Sequence, residues 1–452
     1  MNFFARFSGG GVHPQEGAGG KSVTSVLPIV EPPQPARVII PLQQHIGAPS
    51  RCLVKAGDSV RLGQMIGEPA GFVSAAVHAS VSGRVVGCVP CIMPNGTEQN
   101  AVIIENDFQD NWVDLAPVPN PEKLTAPELA EIARNAGIVG LGGATFPQSV
   151  KLSPPADKPL DILVLNGGEC EPYLSADHRL MLEKAQEIIK GAWLVKKALK
   201  IAQVKIGIEN NKPDAIEVLT KAAAEYADIT VVGLPSKYPQ GEEKRLVYAL
   251  TKRTVRLGGL PIDIGVLVMN VGSVFALYRA VYEGRPLTSR VVTVGGCVEK
   301  PVNYLVRIGT PVEHLIDSSN GLLPITRMLI YGGPMMGMAI SRQDIPITKS
   351  CSGIIALDKL SALAEEQPCI RCARCVDACP VRLAPATIDK FMRKDMYSEA
   401  EELNVLSCME CGVCSWSCPA KRNLTQSMRV CKVTIRKLRQ KAQEAAQQKG
   451  EK

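Results

Sequence analysis

Aromatic residues and long hydrophobic runs are both scarce in this sequence. Phe, Trp and Tyr make up 4% of the 452 residues, although 46% are hydrophobic. A chain so poor in aromatic rings suits close packing of small side chains in α/β layers and glycine-rich loops. Residues 1–15 contain no apolar run, so we expect no signal peptide. The longest apolar stretch, 262–277, is interrupted by polar residues and is too short to cross a bilayer.

Excess positive charge is confined to the C-terminus. The formal net charge is +7, and residues 420–452 hold ten Lys and Arg against two Glu, or +8, which leaves −1 for the rest. This segment predicts a solvated terminal helix or, alternatively, docking onto an anionic membrane surface or an acidic partner. Because no aromatic residues alternate with the basic ones, nucleic acid is not an expected partner.

The sequence contains 15 cysteines, which without a secretion signal favour metal ligation in a reducing compartment over disulfides. Eight of them form two CxxCxxCxxxCP runs, the ferredoxin pattern in which the fourth cysteine binds the cluster of the other run. We therefore predict two 4Fe–4S clusters and electron-transfer chemistry, with zinc as the alternative. The predicted ligand sets are Cys369, Cys372, Cys375 and Cys418 for one cluster, and Cys408, Cys411, Cys414 and Cys379 for the other.

Before the cysteine runs, the chain changes its pattern twice. Short Val/Ile runs separated by turn residues predict a small all-β module over residues 37–106. This module resembles the lipoyl/biotinyl barrel-sandwich hybrid, but residues 72–76 lack the carrier lysine, so we expect a structural role. From Thr125 onward, predicted helices alternate with strands at 161–165, 204–208 and 229–232, which indicates a mostly parallel sheet. We also expect a long helix opening near Ser175 and a compact β-grasp insert over residues 290–317.

Three loops of the α/β region carry candidate binding residues. Residues 140–147 place three glycines within four residues, although Thr145 breaks the GxGxxG dinucleotide fingerprint. Such a loop lets backbone N–H groups approach an anionic or planar ligand, and a tight structural turn is the alternative. The acidic loop 166–172 follows a strand, at the sheet edge where α/β proteins bind ligands. The segment 238–243 starts another helix.

These three loops, in this order and followed by Asn270, resemble the FMN- and NADH-binding subunit of respiratory complex I and NAD-linked hydrogenases. With the Gly-Gly-Gly-Val-His-Pro opening at 9–14, the segment 331–337 and the twin cysteine runs, the whole chain resembles the C subunit of the Rnf (Rsx) complex, a membrane-bound ion-translocating ferredoxin:NAD⁺ oxidoreductase. The resemblance implies FMN, NADH or NAD⁺, and the following cofactor-binding residues: Gly140, Gly142, Gly143, Phe146, Lys151, Asn166, Glu169, Glu171, Tyr238, Gly241, Glu242 and Asn270. Leu141, Thr145 and Gly168 depart from the complex I pattern and change the charge of the predicted pocket.

The predicted fold is α/β and multidomain. It has an N-terminal barrel-sandwich-like β domain (1–115), a central α/β FMN/NADH-binding domain (116–285), a β-grasp, SLBB-like domain (286–345), an α-helical two-cluster ferredoxin domain (346–425) and a basic helical tail (426–452). The long helix-forming spacer between the cysteine runs favours the helical ferredoxin type.

The predicted function is that of a peripheral NADH-linked oxidoreductase subunit. A hydride delivers two electrons and a cluster accepts one, so FMN is needed between NADH and the clusters. Glu169 or Glu171 would orient the nicotinamide ribose. The resemblance implies partner subunits, including an iron–sulfur subunit and integral membrane subunits, with ferredoxin as a further partner, at the cytoplasmic face of the cell (inner) membrane. The alternatives are a non-catalytic iron–sulfur relay that has lost its nucleotide, and a zinc-bearing nucleic-acid module.

The remaining cysteines and the histidines receive no cofactor. Cys88 and Cys91 form a lone CxxC, for which buried small hydrophobic side chains or a redox dithiol are both open. Cys170 lies in the acidic loop. The five histidines show no metal-ligand spacing, and we assign them no metal; they are His13, His45, His78, His178 and His314.

Overall fold

The computed structural model describes residues 10–15, 19–256, 258–358 and 365–450, with side chains as far as residue 444. After a short helix, α1 (Lys21–Thr24), the chain forms two antiparallel sheets. Their strands are β1 (Arg37–Pro41), β2 (Arg51–Cys52), β3 (Ser59–Val60), β4 (Met65–Glu68), β5 (Val77–His78), β6 (Gly83–Ile92) and β7 (Glu98–Asn106). The sheet orders are β1-β7-β6-β3 and β2-β4-β5, which confirms the expected all-β module.

A parallel sheet follows, with helices between its strands. Its strands are β8 (Ile162–Gly167), β9 (Gln203–Glu209), β10 (Ile229–Leu234) and β11 (Val266–Asn270). Its helices are α2 (Ala126–Asn135), α3 (Gln148–Lys151), α4 (Ala176–Glu183), α5 (Ala185–Ala198), α6 (Pro213–Ala222), α7 (Glu243–Thr251) and α8 (Val271–Tyr282). The order β10-β9-β8-β11 reverses direction at β8. The switch point, where ligands bind in such sheets, therefore lies between the ends of β8 and β11.

Local signals explain the helix boundaries in this sheet domain. Thr125 and Glu128 form the capping box that starts α2, where helical sequence was expected to begin. The single long helix expected from Ser175 is wrong, because the backbone at Lys184 leaves the helical region and separates α4 from α5. Because of this break, the two helices contact different parts of the domain. α4 points its first turn at the acidic loop, and α5 packs on α8, where an added Cβ at Gly191 would lie 2.7 Å from the Val274 carbonyl oxygen.

The β-grasp sheet has five strands. They are β12 (Ser289–Gly296), β13 (Val302–Arg307), β14 (Thr326–Tyr331), β15 (Met338–Ile340) and β16 (Gly353–Asp358), with helix α9 (Val312–Ser318) after β13. β16 lies between β12 and β14 and runs parallel to β12. The sheet thus continues past the predicted boundary at residue 345, because its central strand, β16, comes from sequence predicted to belong to the ferredoxin domain.

Residues 365–450 are helical where they have regular structure. The helices are α10 (Arg374–Ala378), α11 (Pro385–Met392), α12 (Tyr397–Glu402), α13 (Val413–Trp416) and α14 (Leu424–Gly450). Met428, Cys431 and Ile435 of α14 are buried against α11 and α12, so the first half of the basic helix belongs to the core of this module. Across the described residues, no helix is long and apolar enough to span a membrane.

Candidate functional site

The ends of β8 and β11 bring two asparagines side by side. Asn166 and Asn270 are register partners in this parallel pair. Asn166 Nδ2 donates to the Gly241 carbonyl at 2.8 Å, and its Oδ1 accepts from the Gly168 N–H at 3.0 Å. A Cβ added at Gly241 would lie 2.1 Å from the Gly168 carbonyl oxygen. The acidic loop and the 238–243 segment therefore meet at backbone distance, which requires glycine at position 241.

The glycine loop lies beside Asn270. The Leu141 N–H donates to Ser273 Oγ at 2.8 Å, which holds the loop on the first turn of α8. A Cβ added at Gly142 would be 3.5 Å from the Asn270 side chain, whereas one at Gly143 would meet nothing within 4 Å. Gly142 and Gly143 are exposed. The glycine loop therefore lies at the same sheet edge as the acidic loop, and its backbone at Gly142 and Gly143 is open to an incoming ligand.

Buried polar atoms without protein partners surround these loops. Within the described part of the chain, Gln148 Oε1 and Ser149 Oγ, just after the glycine loop, are buried and have no hydrogen-bond partner. Arg245, three residues after Glu242, also has two buried atoms without a partner, Nε and Nη1. Unsatisfied buried groups of this kind are costly. They fit a site that receives its remaining polar partners from a bound molecule.

Glu169 points at a helix end. Its carboxylate accepts the backbone N–H groups of Asp177 at 3.0 Å and His178 at 3.2 Å, so it caps α4 from the neighbouring loop. Asp177 is itself held by Asn270 Nδ2 at 2.7 Å. Burial, and then the Glu169 charge, raise the pKa of Asp177 to about 7. The predicted contact between Glu169 and a nicotinamide ribose remains a prediction, since the carboxylate already has these partners.

Glu171 and Tyr238 connect three domains. The Glu171 carboxylate accepts the N–H groups of Met335 at 3.0 Å and Met336 at 2.9 Å, in the β-grasp segment 331–337. Burial raises the pKa of Glu171 to about 7. The Tyr238 hydroxyl donates to the Cys411 carbonyl at 2.8 Å and lies 3.5 Å from Glu171 Oε1. A predicted flavin-site residue therefore contacts a predicted cluster ligand directly.

Two further predicted residues have structural partners. Glu242 accepts the Arg245 backbone N–H at 3.0 Å and caps α7, and burial raises its pKa. Lys151 Nζ pairs with Glu243 at 3.0 Å and donates to the Val268 carbonyl at 2.9 Å. In this structure the lysine charge is therefore directed at the start of α7. Phe146 is half-buried and accepts the Gly140 N–H through its carbonyl at 2.9 Å.

One cavity is lined by one cysteine of the first run and three cysteines of the second, the combination in one of the predicted ligand sets. Cys379, Cys408, Cys411 and Cys414 all line it, together with Pro380, Met409 and Gly412 among others. Backbone N–H groups of Leu383 and Glu410 donate to the sulfurs of Cys379 and Cys408 at 3.4 and 3.3 Å. Such bonds stabilise ligating thiolates and tune an iron–sulfur cluster. Among the described residues no three His, Cys, Asp or Glu side chains lie close enough for a single metal ion, whereas a four-iron cluster needs a wider set of thiols.

The other cysteine set reaches the surface through two of its four members. Cys369 and Cys372 are exposed, and Cys375 and Cys418 are buried. The Gln367 N–H donates to the Ala420 carbonyl at 2.9 Å, which brings the first run next to the end of the second. The two sets thus differ in access: one faces the α/β domain through Tyr238, and the other faces solvent.

None of the unassigned cysteines and histidines lines the cavity of the inner cysteine set. Cys88 lies on β6, and burial, followed by a hydrogen bond with Cys52, raises its thiol pKa to about 11. Burial raises the pKa of Cys170 to about 12, which keeps it a neutral thiol. His178 contacts Asp214 at 2.9 Å. Neither Cys88 nor His178 lines the cavity that holds the inner set of predicted ligands.

Residues 10–12 reach the same interface from the N-terminus. The Gly11 N–H donates to the Ala378 carbonyl at 2.8 Å, and Val12 pairs with Tyr238 through two backbone hydrogen bonds of 2.9 Å. A Cβ at Gly10 would lie 2.8 Å from the Cys379 carbonyl oxygen, and its φ is +78°. Only glycine tolerates both conditions, which explains the glycines in this part of the chain.

Sequence reasoning missed Arg245, Asp177 and Ser273. The three contact the site through tertiary packing, and no motif marked them. Asp177 had the strongest signal, because it falls in the first turn of the helix that follows the acidic loop.

Four family models match the chain. They are described as the Nuo51 FMN-binding domain (residues 133–279), the RnfC barrel sandwich hybrid domain (5–109), the 4Fe-4S dicluster domain (362–419) and the SLBB domain (291–339). The fold and the sites together define a multidomain flavin- and iron–sulfur-dependent redox protein. The expected cofactors, FMN and two 4Fe–4S clusters, are confirmed at this level, and the zinc alternative is not supported.

Curated relatives place the chain within this class. The C subunit of a proton-translocating ferredoxin:NAD⁺ oxidoreductase complex from Clostridium ljungdahlii is 47% identical over 427 residues, 94% of this chain and 93% of the relative. The C subunit of the Na⁺-translocating complex from Acetobacterium woodii is 44% identical over 94% of this chain and 96% of its own. The C subunit of an ion-translocating oxidoreductase complex from Pseudomonas aeruginosa is 40% identical over 94% of this chain and 56% of its own. The chain belongs to the RnfC family, the C subunits of ion-translocating oxidoreductase complexes.

Proposed function

We propose that this chain is the peripheral NADH-linked subunit of a membrane-bound, ion-translocating electron transport complex. It would exchange electrons between NADH or NAD⁺, through FMN, and two 4Fe–4S clusters that connect to partner subunits or ferredoxin. When bound, FMN supplies the conversion between a hydride and single electrons. The observation that carries the proposal is the 2.8 Å hydrogen bond from Tyr238 to the Cys411 carbonyl, which joins the predicted nucleotide loops to a predicted cluster ligand.

The residues of the sheet edge would hold and orient the flavin. Gly142 and Gly143 offer exposed backbone, and Asn166 and Asn270 fix the loops on either side of the switch point. Asp177, with a pKa of about 7, can keep a proton next to Asn270 at neutral pH.

Two side chains beside the glycine loop would contribute further contacts. The unsatisfied groups of Gln148 and Ser149 would supply hydrogen bonds to a polar part of the ligand. Gly140 would keep the loop closed over them, because its N–H donates to the Phe146 carbonyl.

The surface set of cysteines would face the partner. Cys369 and Cys372 are exposed, and so are Ile370 (67%) and Trp416 (48%). Exposed cations next to the cysteine runs in the sequence include Arg371, Arg374 and Lys421. An apolar centre with a cationic rim suits transient docking of an acidic electron-transfer protein. We therefore propose an iron–sulfur partner, a ferredoxin or another subunit of the complex, at this surface.

A membrane location at the cytoplasmic face is a further part of the proposal. Arg436, Lys437 and Lys441 of α14 are exposed, whereas Arg429 and Lys432 pair with Glu410. The outer part of the helix thus keeps positive charge at the surface for anionic lipid or for integral membrane subunits. Integral partners would carry out ion transport.

A relay without nucleotide is the second candidate. Glu169, Glu171 and Lys151 already have protein partners, and this observation favours it. Anaerobic reconstitution, followed by flavin, iron and sulfide analysis and an NADH titration, separates the two. Bound flavin that bleaches with NADH supports the enzyme, while iron and sulfide without flavin would favour the relay.

A glycine pair tests where the flavin lies. Gly142→Ala adds a methyl group that has room beside Asn270, so the protein should fold, but flavin affinity should fall about tenfold or more if the isoalloxazine or ribityl chain lies on this loop. Gly71→Ala is the matched control, since its Cβ would meet Ala48 at the same 3.5 Å in the β domain. Equal flavin content in both variants would remove the glycine loop from the site.

A further inference from the structure

Arg245 is a buried cation without a hydrogen-bonding partner for much of its guanidinium group. It lies in α7 and is 6% exposed. Its backbone N–H binds Glu242, but within the described residues Nε and Nη1 have no partner. Leaving a charged group in this state is costly unless a negative charge compensates for it. A bound anion beside Nε and Nη1 would remove this cost.

The surroundings of Arg245 indicate where this anion would lie. Glu242 is the carboxylate with the largest effect on the pKa of Arg245. Its oxygens, however, already accept backbone N–H groups at the start of α7. The sulfurs of Cys411 and Cys170 are the next groups close enough to influence the pKa of Arg245, and both residues pack in one cluster with Tyr238. Tyr238, seven residues before Arg245, bonds to the Cys411 backbone. Arg245 thus lies at the interface between the nucleotide loops and the inner cysteine set.

The interface contains a second cation. Lys237 is close enough to Arg245 for each charge to disfavour the other, and its pKa is lowered by burial and then by Arg245. A Cβ added at Gly11 would lie 2.9 Å from Lys237 Cε, so the N-terminal segment covers this side chain. An iron–sulfur cluster on the four thiolates around Cys411 would supply the anion that the buried Arg245 lacks, because such a cluster carries net negative charge.

We propose that Arg245 is a positioning residue that sets the reduction potential of the cluster held by Cys379, Cys408, Cys411 and Cys414. This inference rests on the proposed function, in which that cluster is the one next to the flavin loops. Reduction adds one electron to the cluster without breaking a bond or moving a proton, and the donor is NADH through the bound flavin. A fixed positive charge in a buried site stabilises the reduced form, which has one more negative charge.

An anaerobic redox titration of the holoprotein, followed by electron paramagnetic resonance, tests the role of Arg245. The two cluster signals are first assigned with Cys372→Ala and Cys408→Ala. In Arg245→Met the inner cluster should become harder to reduce, with an equilibrium constant about tenfold lower or more, which is about 59 mV for one electron. The signal of the outer cluster should keep its potential, and Arg245→Lys should restore most of the shift.

Two controls separate the possible failures. Lys244→Gln removes the same charge from the neighbouring position, where Lys244 Nζ is exposed and bonds to the Arg256 carbonyl, so solvent should screen its effect. Iron and sulfide contents report folding and cluster assembly in every variant. A wild-type preparation without two cluster signals would overturn the proposed function. Two intact signals with unchanged potentials in Arg245→Met would overturn the role of Arg245 alone.

Discussion

At the scale of single residues, Lys349 is buried where three domains meet. It is 1% exposed, and its Nζ donates to the carbonyls of Ala76 at 2.8 Å and Gly137 at 2.6 Å. Burial lowers its pKa from 10.5 to about 7. Its neighbours His45 and His78 are also buried bases with lowered pKa values, so burial disfavours the protonated form of all three.

The pKa of Lys349 predicts a pH dependence. Between about pH 7 and 10.5 the unfolded chain binds a proton that the folded protein does not, so this residue makes stability rise with pH, by at most about 1.4 kcal/mol per unit. Lys349→Met should remove this contribution. Anaerobic unfolding of both proteins from about pH 7 to 10 measures it, and a wild-type-minus-variant difference that stays flat would contradict the assignment.

Glu169 permits a test that separates structure from binding. Glu169→Gln weakens the cap on α4 and should lower the stability of the protein by about 0.5–2 kcal/mol. If capping is its whole role, the KM for NADH should be unchanged. A raised KM with unchanged thermal unfolding would instead place the carboxylate on the nicotinamide ribose. Glu128→Gln, in the exposed capping box of α2, is the matched control.

At the scale of loops and helices, the contact between Gly241 and Gly168 holds the site together. Gly241→Ala would place a methyl group 2.1 Å from the Gly168 carbonyl and force the acidic loop away from the start of α7. We expect loss of bound flavin with both clusters retained, measured as flavin and iron per chain. Loss of the clusters as well would show that the damage spreads through Tyr238.

Sequence reasoning succeeded where a physical rule acts locally. The helical signals from Thr125 located α2, and strand–helix alternation indicated the parallel sheet. The cysteines of one predicted ligand set line one cavity. Sequence reasoning failed where tertiary contacts decide. Strand β16 follows a long irregular segment, and nothing in its apolar run says that it inserts between β12 and β14. The engagement of Glu171 with Met335 and Met336 depends on domain packing between segments far apart in the chain, which no short motif encodes.

At the scale of the whole molecule, the cationic surface near the exposed cysteines predicts salt-sensitive docking. Arg371→Glu together with Arg374→Glu should lower the association rate of an acidic electron acceptor by about tenfold at low salt, and less at high salt. Stopped-flow reduction of a ferredoxin measures it. Lys390→Glu with Lys394→Glu, exposed in the same module, controls for net charge. Equal losses in the two double variants would argue against a defined docking surface.

The exposure of Cys369 and Cys372 has a consequence for how the protein ages in air. Oxygen should first reach a cluster on the predicted outer set, because Tyr238, Gly10 and the predicted flavin loops shelter the predicted inner set. Brief aeration should therefore leave a protein that still accepts electrons from NADH but no longer transfers them to an acceptor. Iron release should proceed in two phases. Such a protein would first lose electron transfer to its acceptor, and repair would require reassembly of the outer cluster alone.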